Sequence, residues 1–212
     1  ATRIVHRNAE ELARLADRIF VGTCLSAQER RRGDLFFTEY VFEVEERIKW
    51  RGRAVSLPSA PGRAAPGGTE PPVRFPRVVV RQFSAPTGGM VVGLPRYTPG
   101  GRYLLMLHGD SSEGLTSPVG LAQGAFRLYR PVGGEDRADG EDRADGEDRE
   151  DGEERAVNPL GNLGLFHRMA ADESGRQPPD RIEQALLSAP TGPIGASHLI
   201  GILRELVAEP EP

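Results

Sequence analysis

Cysteine is nearly absent from this chain. Cys24 is the one thiol in 212 residues, so no internal disulfide can form. Its apolar surroundings read as those of an ordinary buried residue. Lysine is nearly absent as well: Lys49 stands alone against 26 arginines, a bias we read as genomic base composition rather than selection for guanidinium chemistry. No apolar run approaches the roughly 20 residues that a helix needs to cross a bilayer, so no helical membrane span is expected. His6, His108, His167 and His198 lie far apart, without the close spacing or the cysteines that zinc sites use. The serine elbow, the zinc-protease helix, the phosphate-cradling glycine loop and the dinucleotide fingerprint are all missing. No metal, no cofactor and no catalytic residue is therefore expected, and the chain is read as a non-enzyme.

Glycine and proline, by contrast, are plentiful. With 26 Gly, 18 Pro and only 38% hydrophobic residues, much of the chain must be loop around one buried domain. The formal charge of −4 is unevenly spread. Residues 134–155 hold twelve acids against four arginines, a net of −8, which leaves +4 scattered over the rest. That scatter gives no phosphate-tracking face. Tyr40, Tyr97, Tyr103 and Phe126 could supply rings for base stacking, but the acidic run would repel a polyanion, and no nucleic-acid partner is expected.

The most structured stretch runs from Arg18 to Trp50. Phe36, Thr38, Tyr40, Phe42, Val44 and Ile48 alternate with Phe37, Glu39, Val41, Glu43, Glu45 and Arg47, the period of two of a half-buried strand. With Ile19–Cys24 before it, this predicts two long strands joined by a charged turn. Glu46 is the one charge on the apolar side, which predicts a bend or bulge near it. Ahead of the pair, Asn8 and Glu11 form a capping-box signature for a short helix ending near Asp17.

After Trp50, residues 51–76 are rich in Pro, Gly and Ala and read as a long surface loop. Strands are predicted at Arg77–Ser84, Met90–Val92, Arg102–His108, Leu115–Val119 and Gly124–Tyr129. Then a hexapeptide repeats almost unchanged, GEDRADGEDRADGEDREDGEER. It has no large apolar residue, so it cannot bury a core and is expected to be disordered. It departs from both the EF-hand loop and the glycine-aspartate nonapeptide, so it reads as a solvated spacer rather than a calcium site. Its flanks could pair as a hairpin, which would make the repeat an expanded hairpin tip. A helical stripe from about Gly195 to Ala208, after a shorter helix around Arg181–Leu187, ends the chain.

Three stretches together resemble the netrin-like module, best known from the tissue inhibitors of metalloproteinases: Ala16-Asp17-x-Ile19-Phe20-Val21-Gly22-Thr23; Thr38-x-Tyr40-x-Phe42-x-Val44 running to Ile48-Lys49-Trp50; and Gly93–Leu107. The last also resembles secreted bacterial proteins that carry a similar stretch. The resemblance implies a mainly β fold, a five- to six-stranded antiparallel OB-like barrel with a short N-terminal helix and C-terminal helices. On that plan residues 1–17 are an arm and helix, 18–131 the barrel, 132–156 the acidic loop, and 157–212 an extension packed on the barrel.

The resemblance further implies a protein-binding role, with a metalloprotease as the narrower partner. In the family an N-terminal cysteine chelates the protease zinc and a threonine or serine follows it. Here Ala1 and Thr2 occupy those places, and Val92 stands where the family has the tethering cysteine. The expected partner-binding residues are thus Ala1, Thr2, Met90, Val91 and Val92. The start at Ala1, without methionine, fits either a cleaved secretory precursor or a trimmed chain, and the expected location is secreted, periplasmic or at the cell surface. Two alternatives stand beside this reading: a structural subunit of an extracellular assembly, and a hydrolase with an unrecognised site. Asp110, Ser111 and Ser112, with His108 close by, are explained by turn composition alone.

Overall fold

A computed structural model of the chain describes residues 6–51, 56–57, 76–86, 91–131, 152–166 and 192–208. In chain order its elements are α1 (Ala9–Leu15), β1 (Arg18–Arg32), β2 (Leu35–Trp50), β3 (Ser56–Leu57), β4 (Arg77–Phe83), β5 (Arg102–Leu107), β6 (Ala125–Tyr129), β7 (Arg155–Val157), β8 (Ile194–Gly195) and α2 (Ala196–Ala208). The fold is mainly β. All eight strands join one antiparallel sheet in the order β3-β4-β2-β1-β5-β6-β7-β8.

Period-two alternation gives the sheet two apolar faces. On one, Ile19, Val21, Leu104, Met106, Phe126 and Leu128 are buried beneath α1 and α2. On the other, Phe20, Phe42, Val78, Val80, Tyr103 and Leu105 form a second cluster with Tyr97. α1 begins as its sequence dictates: Asn8 Oδ1 accepts Glu11 N–H at 2.9 Å, and Glu11 returns the bond to Asn8 N–H at 3.2 Å. Seven residues cannot hold a helix in water unaided; burial of Ala9, Leu12 and Ala13 against the sheet supplies the rest.

The irregularity expected near Glu46 is present, and it changes two side-chain assignments. The β1–β2 register passes from Gly22↔Val44 to Val21↔Glu46, skipping Glu45, and from Phe20↔Arg47 to Ile19↔Lys49, skipping Ile48. Each extra residue reverses the alternation beyond it. Glu46 is therefore not on the face of Phe42 and Val44; it turns to the helical side, where Arg204 of α2 meets it. Ile48 likewise leaves that face and packs beneath the helices.

The sheet also curls. A Cβ on Gly22 would lie 2.5 Å from Glu43 O, so only glycine lets β2 cross β1 this closely. The turn after β5 reaches the far side of the curl. There Thr116 N–H donates to Arg81 O of β4 (2.8 Å), and Arg32 at the hairpin tip donates to Glu113 O (3.3 Å). Among the described residues the ladder itself stays open.

Several expectations need correction. Among the described residues the sheet has eight strands rather than five or six, because β3, β7 and β8 are two or three residues long and carry too little pattern to read. Val91 and Val92 lie in a tight turn, not a strand; Leu94 N–H closes it on Val91 O (3.1 Å). Leu115–Val119 contributes one isolated bridge, Leu107↔Pro118, in place of a strand. The flanks of the acidic repeat do pair, Tyr129 opposite Arg155. The repeat itself and the helix expected around 181–187 lie outside the described residues.

Candidate functional site: twin clefts beside Tyr97

The link from β4 to β5 returns as Val91–Gly101 across the second apolar face. It is fastened at its end to β1, with Cys24 N–H donating to Gly101 O (2.9 Å) and Gly100 N–H to Cys24 O (2.8 Å). Tyr97 is its anchor. The ring sits edge-on to Tyr40, Phe42 and Tyr103 at centroid distances of 4.8, 5.2 and 5.1 Å, the arrangement aromatic quadrupoles favour. Its hydroxyl accepts from Gln82 Nε2 at 3.1 Å, so the buried oxygen is not left bare.

Because the link stands proud of the sheet while Tyr97 plugs it down, a cleft opens on each side of Pro95–Tyr97. The first holds about 230 Å³ and is lined by Glu29, Thr38, Tyr40, Gln82, Ser84 and Val91 among others. The second holds about 260 Å³ and runs from Arg96 and Thr98 over Tyr103 to Arg127, Val157 and Asn158. Both fall below the ~300–1,000 Å³ of pockets that enclose a drug-sized ligand. Each is sized for a single side chain or a small ion.

Burial sets the chemistry of this face, where Cys24 packs in the same cluster as Tyr40 and Tyr97. It pushes the Cys24 thiol up to about 11, against a weaker lowering from its hydrogen bond to Ser26 O (3.5 Å). It also raises the Tyr40 phenol and holds the Tyr97 phenol well above its ordinary value. All three stay protonated at neutral pH. The floor offers aromatic surface and hydroxyl hydrogen bonds, not a thiolate or phenolate.

Of the expected partner-binding residues, Ala1, Thr2 and Met90 lie outside the described residues. Val91 is half-buried in the wall of the first cleft. Val92, one residue on, is 90% exposed. It occupies the corner of a four-residue turn whose third position, Gly93, has φ +90°, as a type II turn requires. The sequence reading missed Tyr97 and Tyr103 as floor, and Arg96 and Arg127 as walls. The available signal was PRYTPGG, an aromatic held between two turn-formers.

Asp110 and Ser111 have structural partners. The Asp110 carboxylate pairs with Arg18, and Ser111 Oγ accepts Leu115 N–H at 3.1 Å. His108 is exposed, and its carbonyl accepts from Thr116 Oγ1 (2.7 Å) and Arg18 (3.1 Å). Among the described residues, no three His, Cys, Asp or Glu side chains gather as a metal would need. Tyr40, Tyr97, Tyr103 and Phe126 are all buried in the two cores and do not form an open stacking face. Among the described residues, no helix is long and apolar enough to cross a membrane. Comparison with protein-family models, with curated proteins and with solved structures gives no match.

Proposed function

We propose that this chain is a non-catalytic, exported binding module on an OB-like barrel, that its partner is a protein, and that the Val91–Leu94 turn with the first cleft is the contact surface. The observation that carries the reading is Val92, an aliphatic side chain 90% exposed on a tight turn beside an aromatic-floored cleft. Solvent exposure of such a group contributes nothing to folding; seated in a partner's pocket it gains about 1.5–3 kcal/mol. A turn closed by a hydrogen bond and a glycine is already ordered, so little entropy is lost on docking.

The narrower form makes the partner a metalloprotease, with Ala1 and Thr2 approaching its zinc and Val92 flanking them, as the netrin-like resemblance implies. The test is capture from the native extracellular fraction by the full chain and by Val92→Asp. A partner held by the first and lost by the second, at equal unfolding midpoints, supports the reading. Equal capture by both removes Val92 from the interface. Inhibition of a metalloprotease panel that disappears on acetylating the N-terminus supports the narrower form.

A further inference from the structure

We propose that the second cleft is an oxyanion site, taking a carboxylate or phosphate group on Arg127. This goes beyond the protein-binding reading and uses the opposite side of the Pro95–Tyr97 wall.

The register places the charges. Arg127 of β6 lies opposite Tyr103 of β5 and Val157 of β7; it shares the face of Tyr103 and Ala125 and lines the cleft with them. Arg155 lies opposite Tyr129, hence on the same face and diagonal to Arg127, a spacing of roughly 7–8 Å between such positions. Among the described residues, neither the Arg127 nor the Arg155 guanidinium meets an acceptor. Among the described residues no carboxylate lines the cleft. Like charges on neighbouring strands repel, and a bound anion relieves that repulsion.

The rest of the lining suits the same occupant. Tyr103, packed against Tyr97 and Phe42, accepts Thr98 N–H at 2.9 Å and so has its own proton to donate. Asn158 is committed elsewhere: its carbonyl takes Leu160 and Asn162 N–H, and its amide donates to Gln123 O. It therefore shapes the cleft and makes no demand on a ligand. Guanidinium groups meet carboxylate and phosphate through paired N–H donors, and about 260 Å³ admits such a group with a few waters.

Carboxylates can also come from the chain itself, since the acidic repeat joins β6 to β7. The experiment is a two-dimensional NMR titration of the full chain with inorganic phosphate and, separately, citrate, at low and constant ionic strength. It is repeated on Arg127→Gln, on Arg14→Gln as a charge-matched control, and on a chain whose 135–151 acids are changed to amides. The expected result is saturable shifts at the Tyr103, Ala125 and Arg127 amides, weakened at least tenfold in R127Q and unchanged in R14Q. Saturation only in the neutralised chain identifies the repeat as the resident oxyanion. The proposal is overturned if neither chain gives saturable shifts, or if R127Q titrates like the unaltered protein.

Discussion

Arg18 and Asp110 form an ion pair whose two halves see different surroundings. The Arg18 side chain is 1% exposed and Asp110 is 21% exposed. Arg18 also donates to His108 O (3.1 Å), while its Nε and Nη1 are buried without partners among the described residues. Removing the carboxylate strands a cation in the core, whereas removing the cation leaves an aspartate that water already reaches. Asp110→Asn should cost about 3 kcal/mol, because it leaves a buried cation uncompensated, while Arg18→Met should cost less, because water reaches the aspartate it leaves. Urea unfolding of both variants checks the order, and a larger loss in R18M than in D110N would contradict it.

Gly22 permits the crossing on which the curl depends. Gly22→Ala forces its methyl against Glu43 O, and backbone on both sides leaves no flexible side chain to yield. The expected cost is about 1–3 kcal/mol. Hydrogen exchange should quicken along the β1–β2 ladder around Gly22 and Val44 more than in α2; uniform change across the chain would mean the crossing is not the seat of the strain.

These two positions mark how far the sequence could be read. Alternation along 19–24 and 35–44 foretold the strands and their faces, because side-chain period is a property of the backbone. It failed past Val44 because a bulge is decided by what lies across the ladder. Glu46 turns over to reach Arg204, 158 residues away, a partner no local pattern announces. Val91 and Val92 looked like a strand because β-branched residues favour one, yet Gly93 at φ +90° makes the turn. Of the site, Val91 and Val92 were reached through a resemblance. Tyr97, Tyr103 and Arg127 were not, since they meet only once β5, β6 and the returning link share one face.

Cys24 ties stability to alkaline pH. In the unfolded chain its thiol ionises near its ordinary value of 9.0, but in the fold it holds its proton to about 11. The native state thus binds more protons between those values. The contribution is intact below pH 9 and is lost as pH rises from 9 towards 11. Tyr40 and Tyr97, raised by the same burial, act in the same direction, so the readout is a difference. The urea midpoint of the parent should fall more steeply from pH 8 to 10.5 than that of Cys24→Ala. At pH 8 the native thiol should resist a disulfide reagent that modifies the unfolded chain at once. Parallel slopes, or rapid native labelling, would contradict the assignment.

Val92 and Gly93 separate binding from folding within one turn. Val92 touches little, so Val92→Asp should leave stability within about 0.5 kcal/mol. Gly93 cannot change so freely: its φ of +90° disfavours any L side chain, and a Cβ there would lie 3.0 Å from Leu121 Cδ1. Gly93→Ala should cost about 1–2 kcal/mol and, by reshaping the turn, should also weaken capture of the partner. Thermal unfolding and capture measured side by side give the pattern: V92D stable and non-binding, G93A less stable and weakly binding. If G93A binds fully while V92D does not, the valine side chain acts without the turn's geometry. If both bind fully, the contact surface lies elsewhere on the sheet.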